Sequence, residues 1–183
     1  MWYKEDIYSE LERVDDRLKK YGLYLNLKIV GGSALILNDI HSIETNDIDT
    51  IVRIETEIKE ILDDCSADIN DDALDYINNY DNLTFIEDEH TFSNIHIEYL
   101  SIVGVIKTKM KDTNPSKLEN LYYIMESDLG IDMSLDGICN WFSENSEEPD
   151  LDDIRVFLEE TQYLTKDDSD ALAKAINVMR GYT

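Results

Sequence analysis

Along the first twenty positions apolar residues recur at intervals of four and three. Ile7, Leu11, Val14, Leu18 and Tyr21 form one helical stripe, and Gly22 is a natural stop for it. The period then drops to two. Leu23, Leu25, Leu27 and Ile29 alternate with Tyr24, Asn26, Lys28 and Val30, which predicts a strand over 23–30. Gly31-Gly32 breaks that strand, and the residues after it predict a short buried helix from Ser33 to Asn38, with Ser33 as its N-cap. A loop over 41–46 leads to a second strand over 47–54 and a helix over 55–62 that turns Ile58, Ile61 and Leu62 inward. The acidic segment 63–81 reads as a helix with a small buried face built on Ile69, Leu74 and Ile77. Residues 83–86 and 94–102 read as a hairpin, with Ile95, Ile97 and Tyr99 on one face and His96, Glu98 and Leu100 on the other. From Val103 onward the period is helical throughout. Asn114-Pro115 opens a helix striped by Leu118, Leu121, Tyr122 and Met125, and further helices follow at 134–143, 150–160 and 167–180. The fold class is therefore α/β. A mixed sheet flanked by helices occupies 1–105, and a mainly α-helical region, 106–183, packs on that core.

The chemistry concentrates where the first strand ends. Gly31-Gly32-Ser33 turns the chain into a helix, and the next strand carries Asp47 and Asp49. Side chains alternate along a strand, so the two carboxylates share a face about 6.6 Å apart along the chain. Backbone N–H groups at a helix start favour phosphate oxygens, and hard carboxylate oxygens suit Mg²⁺. Together they make a site for a divalent cation holding a nucleoside triphosphate. Separately each half is weak: a strand-to-helix turn often needs glycine for backbone reasons, and Asp pairs are common in a chain with 41 acidic residues.

Gly31-Gly32-Ser33-Ala34-Leu35 and Thr45-Asn46-Asp47-Ile48-Asp49 resemble the signature of the nucleotidyltransferase superfamily, the polymerase-beta-like fold. They are closest in flavour to small bacterial proteins that include abortive-infection-type toxins. The strong match covers roughly residues 24–54, and Ser42, Ile43 and Glu44 stand where relatives often carry a basic residue. The resemblance implies that Asp47 and Asp49 hold Mg²⁺ and that Gly31, Gly32 and Ser33 cradle the triphosphate of an NTP. It also implies a third carboxylate on a neighbouring strand, for which Glu98 is the best candidate, and Lys109 is a candidate phosphate contact. The strands bearing Asp47/Asp49 and Glu98 are accordingly expected to be neighbours. His41 and His96 are candidates for proton transfer, although a lone histidine is more often structural.

Charge changes the choice of partner. The chain carries a net charge of −25, with eleven acidic residues and no Lys or Arg from Glu60 to Glu89. Such a surface is poorly suited to polynucleotides, so nucleic acid is not expected as a tight ligand, whereas a basic protein would be attracted. No apolar run is long enough to cross a membrane, Met1-Trp2-Tyr3-Lys4 lacks the form of a signal peptide, and Cys65 and Cys139 read as free thiols. These features point to a cytoplasmic protein. Two functions remain: Mg²⁺-dependent transfer of NMP from an NTP to a protein, RNA end or small molecule, or a catalytically inactive relative that binds a basic protein as antitoxin, inhibitor or acidic nucleic-acid mimic.

Overall fold

The helical stripe at the start of the chain folds as its spacing dictates. In the computed structural model, which describes residues 2–40, 45–74, 82–148 and 150–161, helix α1 runs Lys4–Tyr21 and buries Ile7, Leu11, Val14 and Leu18. Asp6 begins it by accepting the Tyr3 N–H at 2.7 Å. Gly22 ends it at φ 67°, in the left-handed region, with the Leu23 N–H returning to the Leu18 carbonyl at 3.1 Å. Tyr21, expected in the stripe, is exposed because the helix stops at that residue.

The chain divides into two units at Val105/Ile106, inside helix α4 (Ile102–Lys109). In the first unit, strand β1 (Leu25–Ile29) turns Leu25, Leu27 and Ile29 into the core and leaves Asn26 exposed. Helix α2 (Gly31–Leu37) follows, buried from Ser33 to Leu37. Then come β2 (Ile48–Asp49), α3 (Thr56–Cys65), β3 (Ile69–Asn70), β4 (Phe85–Glu87) and β5 (Ile95–Leu100). Strand β1 pairs in parallel with β5, β5 antiparallel with β4, and β2 in parallel with β3. A single antiparallel bridge between Ile29 and Thr50 joins the two groups, giving the order β3-β2-β1-β5-β4. The sheet is mixed, as the alternation predicts, but one neighbour relation differs. Strand β1 lies between the strand carrying Asp47 and Asp49 and the strand carrying Glu98.

Two further differences have local causes. Residues 69–70 form a strand where the sequence reads as helix. Ser66 takes a left-handed conformation (φ 54°), ends α3 and brings the chain back beside β2, whose Ile48 and Thr50 N–H groups find the carbonyls of Asp68 and Asn70 at 2.8 and 2.9 Å. The remainder of the expected 63–81 helix lies partly outside the described residues. The second strand is shorter than 47–54, because bends begin at Ile51. Beyond it Asp71 anchors the chain, accepting from Lys59 Nζ at 2.7 Å and from the Ile54 N–H at 2.9 Å. The Lys59 ammonium holds the Asp71 carboxyl below its ordinary value, and the Ile54 N–H adds to the effect.

The second unit, described by itself, is helical. Asn114 caps α5 (Pro115–Tyr123) by accepting from the Ser116 N–H at 3.0 Å. The helix widens into a π-helical turn, Ile124–Asp128, which the periodicity does not reveal. Ser134 likewise caps α6 (Leu135–Glu144), and α7 (Leu151–Thr161) completes the described part. Leu118, Leu121, Met125, Ile138, Phe142, Ile154 and Phe157 form its core. The expected helix over 167–180 lies outside the described residues. None of the described helices is long and apolar enough to cross a membrane.

One buried acid organises the first unit. Asp15, 8% exposed on α1, accepts from the Asn94 N–H at 2.6 Å and the Ser93 N–H at 3.1 Å. Asn94 Nδ2 in turn donates to the Leu23 carbonyl at 2.8 Å, so a single network ties α1 to the starts of β1 and β5. Removing the acceptor leaves the buried Asn94 N–H and the part-buried Ser93 N–H without their partner. Asp15→Ala should lower the unfolding free energy by about 1–3 kcal/mol in urea titrations. The exposed neighbour change Asp16→Ala should cost roughly 0.5 kcal/mol or less. Equal losses for the two would show that the Asp15 network contributes nothing particular.

Candidate functional site

The site forms where β1 ends. Val30 occupies the N-cap position of α2, so Gly31, Gly32 and Ser33 supply the helix's first N–H groups, which have no carbonyl of the preceding turn to donate to. Gly31 sits at φ 68°, a conformation that L side chains rarely adopt. The strand opposite comes very close. A Cβ at Gly31 would lie 2.9 Å from Asp49 Oδ2, and one at Gly32 would lie 2.9 Å from both Cβ and Oγ1 of Thr45. Gly31 therefore serves both the turn and the approach of Asp49, and Gly32 the approach of Thr45.

Each close contact concerns one of the two acids. Gly31 leaves room for the Asp49 carboxylate itself. Gly32 leaves room for Thr45, whose hydroxyl donates to Asp47 Oδ1 at 2.9 Å and so orients that carboxylate. Ser33, 1% exposed, donates its hydroxyl to the Asp47 carbonyl and fastens α2 to the segment carrying both acids. It is thus a clamp inside the first turn and not the N-cap its position in the sequence suggests. Asp47 and Asp49 are half-buried on one side of the strand, while Ile48 and Thr50 are buried on the other. The Thr50 hydroxyl reinforces the junction with β1, accepting from the Lys28 N–H and donating to the Lys28 carbonyl, both at 3.1 Å.

The structure unites Gly31, Gly32, Ser33, Asp47 and Asp49. It does not bring Glu98 to the carboxylate pair. Among the described residues no group of three His, Cys, Asp or Glu side chains could hold a metal ion. The physical reason is the intervening β1, from which Lys28 reaches Glu98 Oε2 at 3.3 Å. Lys109 ends α4 in the second unit and is itself engaged. The lysines on either side of it pair with acids of that unit: Lys107 with Glu147 at 2.6 Å and Lys111 with Asp153 at 3.0 Å. Lys107 and Lys109 are two apart on a helix, so they do not share a face. His96 is exposed on β5, with Nδ1 4.0 Å from Glu87, and His41 lies outside the described residues.

Thr45, Thr50 and Lys28 contribute to the site without a role assigned from the sequence. Thr45 stands two residues before Asp47, within the same short motif, and its hydroxyl bond to the Asp47 carboxylate is seen only in the fold. Lys28 carries no signal in the sequence, because its significance depends on which strands flank β1.

A model of a family described as nucleotidyltransferase of unknown function (DUF6036) matches residues 6–125, and the chain belongs to that family. The matched segment includes the glycine turn, both acids and Glu98. No curated protein and no solved structure shows a significant match. The protein is thus a nucleotidyltransferase-like α/β protein.

The glycine contacts are testable through stability. Gly22 has a similar φ, 67°, with nothing within 4 Å of an added Cβ, so Gly22→Ala measures the left-handed penalty alone, about 1–2 kcal/mol. Gly31→Ala should exceed Gly22→Ala in denaturant titrations, and the excess should vanish in an Asp49→Ala background. An excess that persists without Asp49 would place the conflict elsewhere.

Proposed function

We propose that the chain binds an NTP with Mg²⁺ at the Gly31–Ser33 turn and transfers its NMP to an acceptor that is a protein or a small molecule. The observation that carries this reading is the seating of Asp49 against Gly31. It sets a carboxylate, in the space a side chain at position 31 would occupy, beside a helix start whose N–H groups favour phosphate. The donor set fits the ion. Magnesium takes one or two carboxylates and completes its shell with water and phosphate oxygens, so a pair without a third protein acid suffices to hold it. Bound there, the ion would offset negative charge on the phosphates.

The chain's own residues divide the remaining work. Gly31 and Gly32 let the helix start lie against Asp49 and Thr45, Thr45 orients Asp47, and Ser33 fastens the turn to the segment carrying the acids. The net charge of −25 disfavours a polynucleotide acceptor, since each phosphate contact needs a cation.

One observation favours a second reading, in which the fold binds without turnover and the partner is a basic protein. Among the described residues no third acid joins Asp47 and Asp49 in a group that could hold a metal ion. Calorimetry with Mg²⁺ and each of the four NTPs tests the site common to both readings. Asp47→Asn combined with Asp49→Asn should abolish Mg²⁺-dependent nucleotide binding. The melting temperature without ligand should stay the same or rise, because like-charge repulsion is relieved. Equal nucleotide affinity in wild type and double variant would remove the acids from the site. Formation of pyrophosphate in the presence of a protein or small-molecule acceptor would favour transfer over binding alone.

A further inference from the structure

We propose that Lys28 is the side chain that engages the β- and γ-phosphates of the nucleotide, and that Glu98 holds it in reserve until the nucleotide arrives. The inference rests on the reading of Asp47 and Asp49 as the nucleotide site and assigns a residue that neither the turn nor the acid pair identifies.

Register carries the argument. The Ile51 N–H donates to the Lys28 carbonyl at 3.1 Å, and Ile29 bridges to Thr50, so Lys28 stands opposite Ile51 and diagonal to Asp49. Diagonal neighbours across an antiparallel pair lie about 7–8 Å apart, within reach of a long side chain. Alternation places Lys28 and Asp49 on one face of the sheet, away from Ile29 and Thr50. On its other flank Lys28 is the direct register partner of Glu98, also on that face. One cation on the central strand therefore stands between the acid pair and Glu98.

Its present position is easily exchanged. Lys28 Nζ is 3.3 Å from Glu98 and 5.0 Å from the centre of the Phe85 ring, with the lysine side chain 41% and the glutamate side chain 30% exposed. Ion pairs this open to water are weak, so a polyphosphate can compete for the ammonium. The demand for it is clear. A triphosphate beside two carboxylates carries more negative charge than one divalent ion offsets. The sequence also keeps acids away from this strand: from Arg17 to Asn38 there are four cations, Lys28 among them, and no Asp or Glu.

The test is calorimetric titration of Mg²⁺ with inorganic tripolyphosphate, and of Mg²⁺ with each NTP, into the full chain. Lys28→Met keeps the apolar stem and should weaken both by about tenfold or more, the loss expected of a hydrogen bond to a charged group. Lys28→Arg should recover most of that loss, and Glu98→Gln should tighten binding by releasing the lysine. Unchanged tripolyphosphate affinity in Lys28→Met, with wild-type binding still dependent on Asp47 and Asp49, would overturn this inference alone. So would Glu98→Gln abolishing Mg²⁺-dependent binding, since Glu98 would then be a metal ligand. A wild-type chain that bound neither tripolyphosphate nor any NTP would overturn the site reading as well.

Discussion

At the start of α2 the chain lies so close to the segment 45–49 that a Cβ at either of two consecutive positions would meet it at 2.9 Å. At Gly31 the space is taken by the Asp49 carboxylate, and at Gly32 by Thr45. This contact organises the functional half of the first unit. Because β2 approaches so closely, the Val30 N–H reaches the Asp49 carbonyl at 2.9 Å and the Ile29–Thr50 bridge can form. That bridge, with the Thr50 hydroxyl bonded to the Lys28 N–H and carbonyl, links the β2–β3 pair to the sheet. The same contact brings two half-buried acids to the start of α2.

Much of this was legible in the sequence because it is local. The four-and-three spacing from Ile7 to Leu18 gives α1, the alternation from Leu25 to Ile29 gives β1, and Asn114-Pro115 gives the start of α5. The glycine turn and the Asp47/Asp49 strand stood out because two weak signals occurred at a spacing that one site requires. What was not legible depends on contacts between distant segments. Asp15 looks like one more surface acid until Ser93 and Asn94 meet it. Strand β3 is a strand because β2 offers it an edge, and nothing in its two residues says so. Glu98 has apolar neighbours along the chain. Those neighbours establish that it lies mid-strand but not which strand lies beside it, and the intervening β1 presents Lys28 to it.

Charge and site act at different ranges. The excess of 25 negative charges sets a repulsive field for polyanions and an attractive one for basic proteins, screened over about 8 Å at physiological ionic strength. A nucleotide must therefore be drawn in by short-range donors and by the cation it carries. The stretch from Arg17 to Asn38, free of acids, contains the first half of the site, and the second half supplies the two carboxylates. A metal–nucleotide complex, with charge already partly neutralised, suits such an arrangement better than a bare anion. Membership of a nucleotidyltransferase family is consistent with this division of labour.

The central claim is that Asp47 and Asp49 hold the metal of a metal–nucleotide complex against the Gly31–Ser33 turn. Crystals grown with Mn²⁺ and a non-hydrolysable NTP analogue test it most directly, because anomalous scattering locates the ion without assumption. The account predicts a peak about 2.0–2.6 Å from carboxylate oxygens of Asp47 and Asp49, also contacting phosphate oxygens. A nucleotide bound with its metal away from both acids would contradict it.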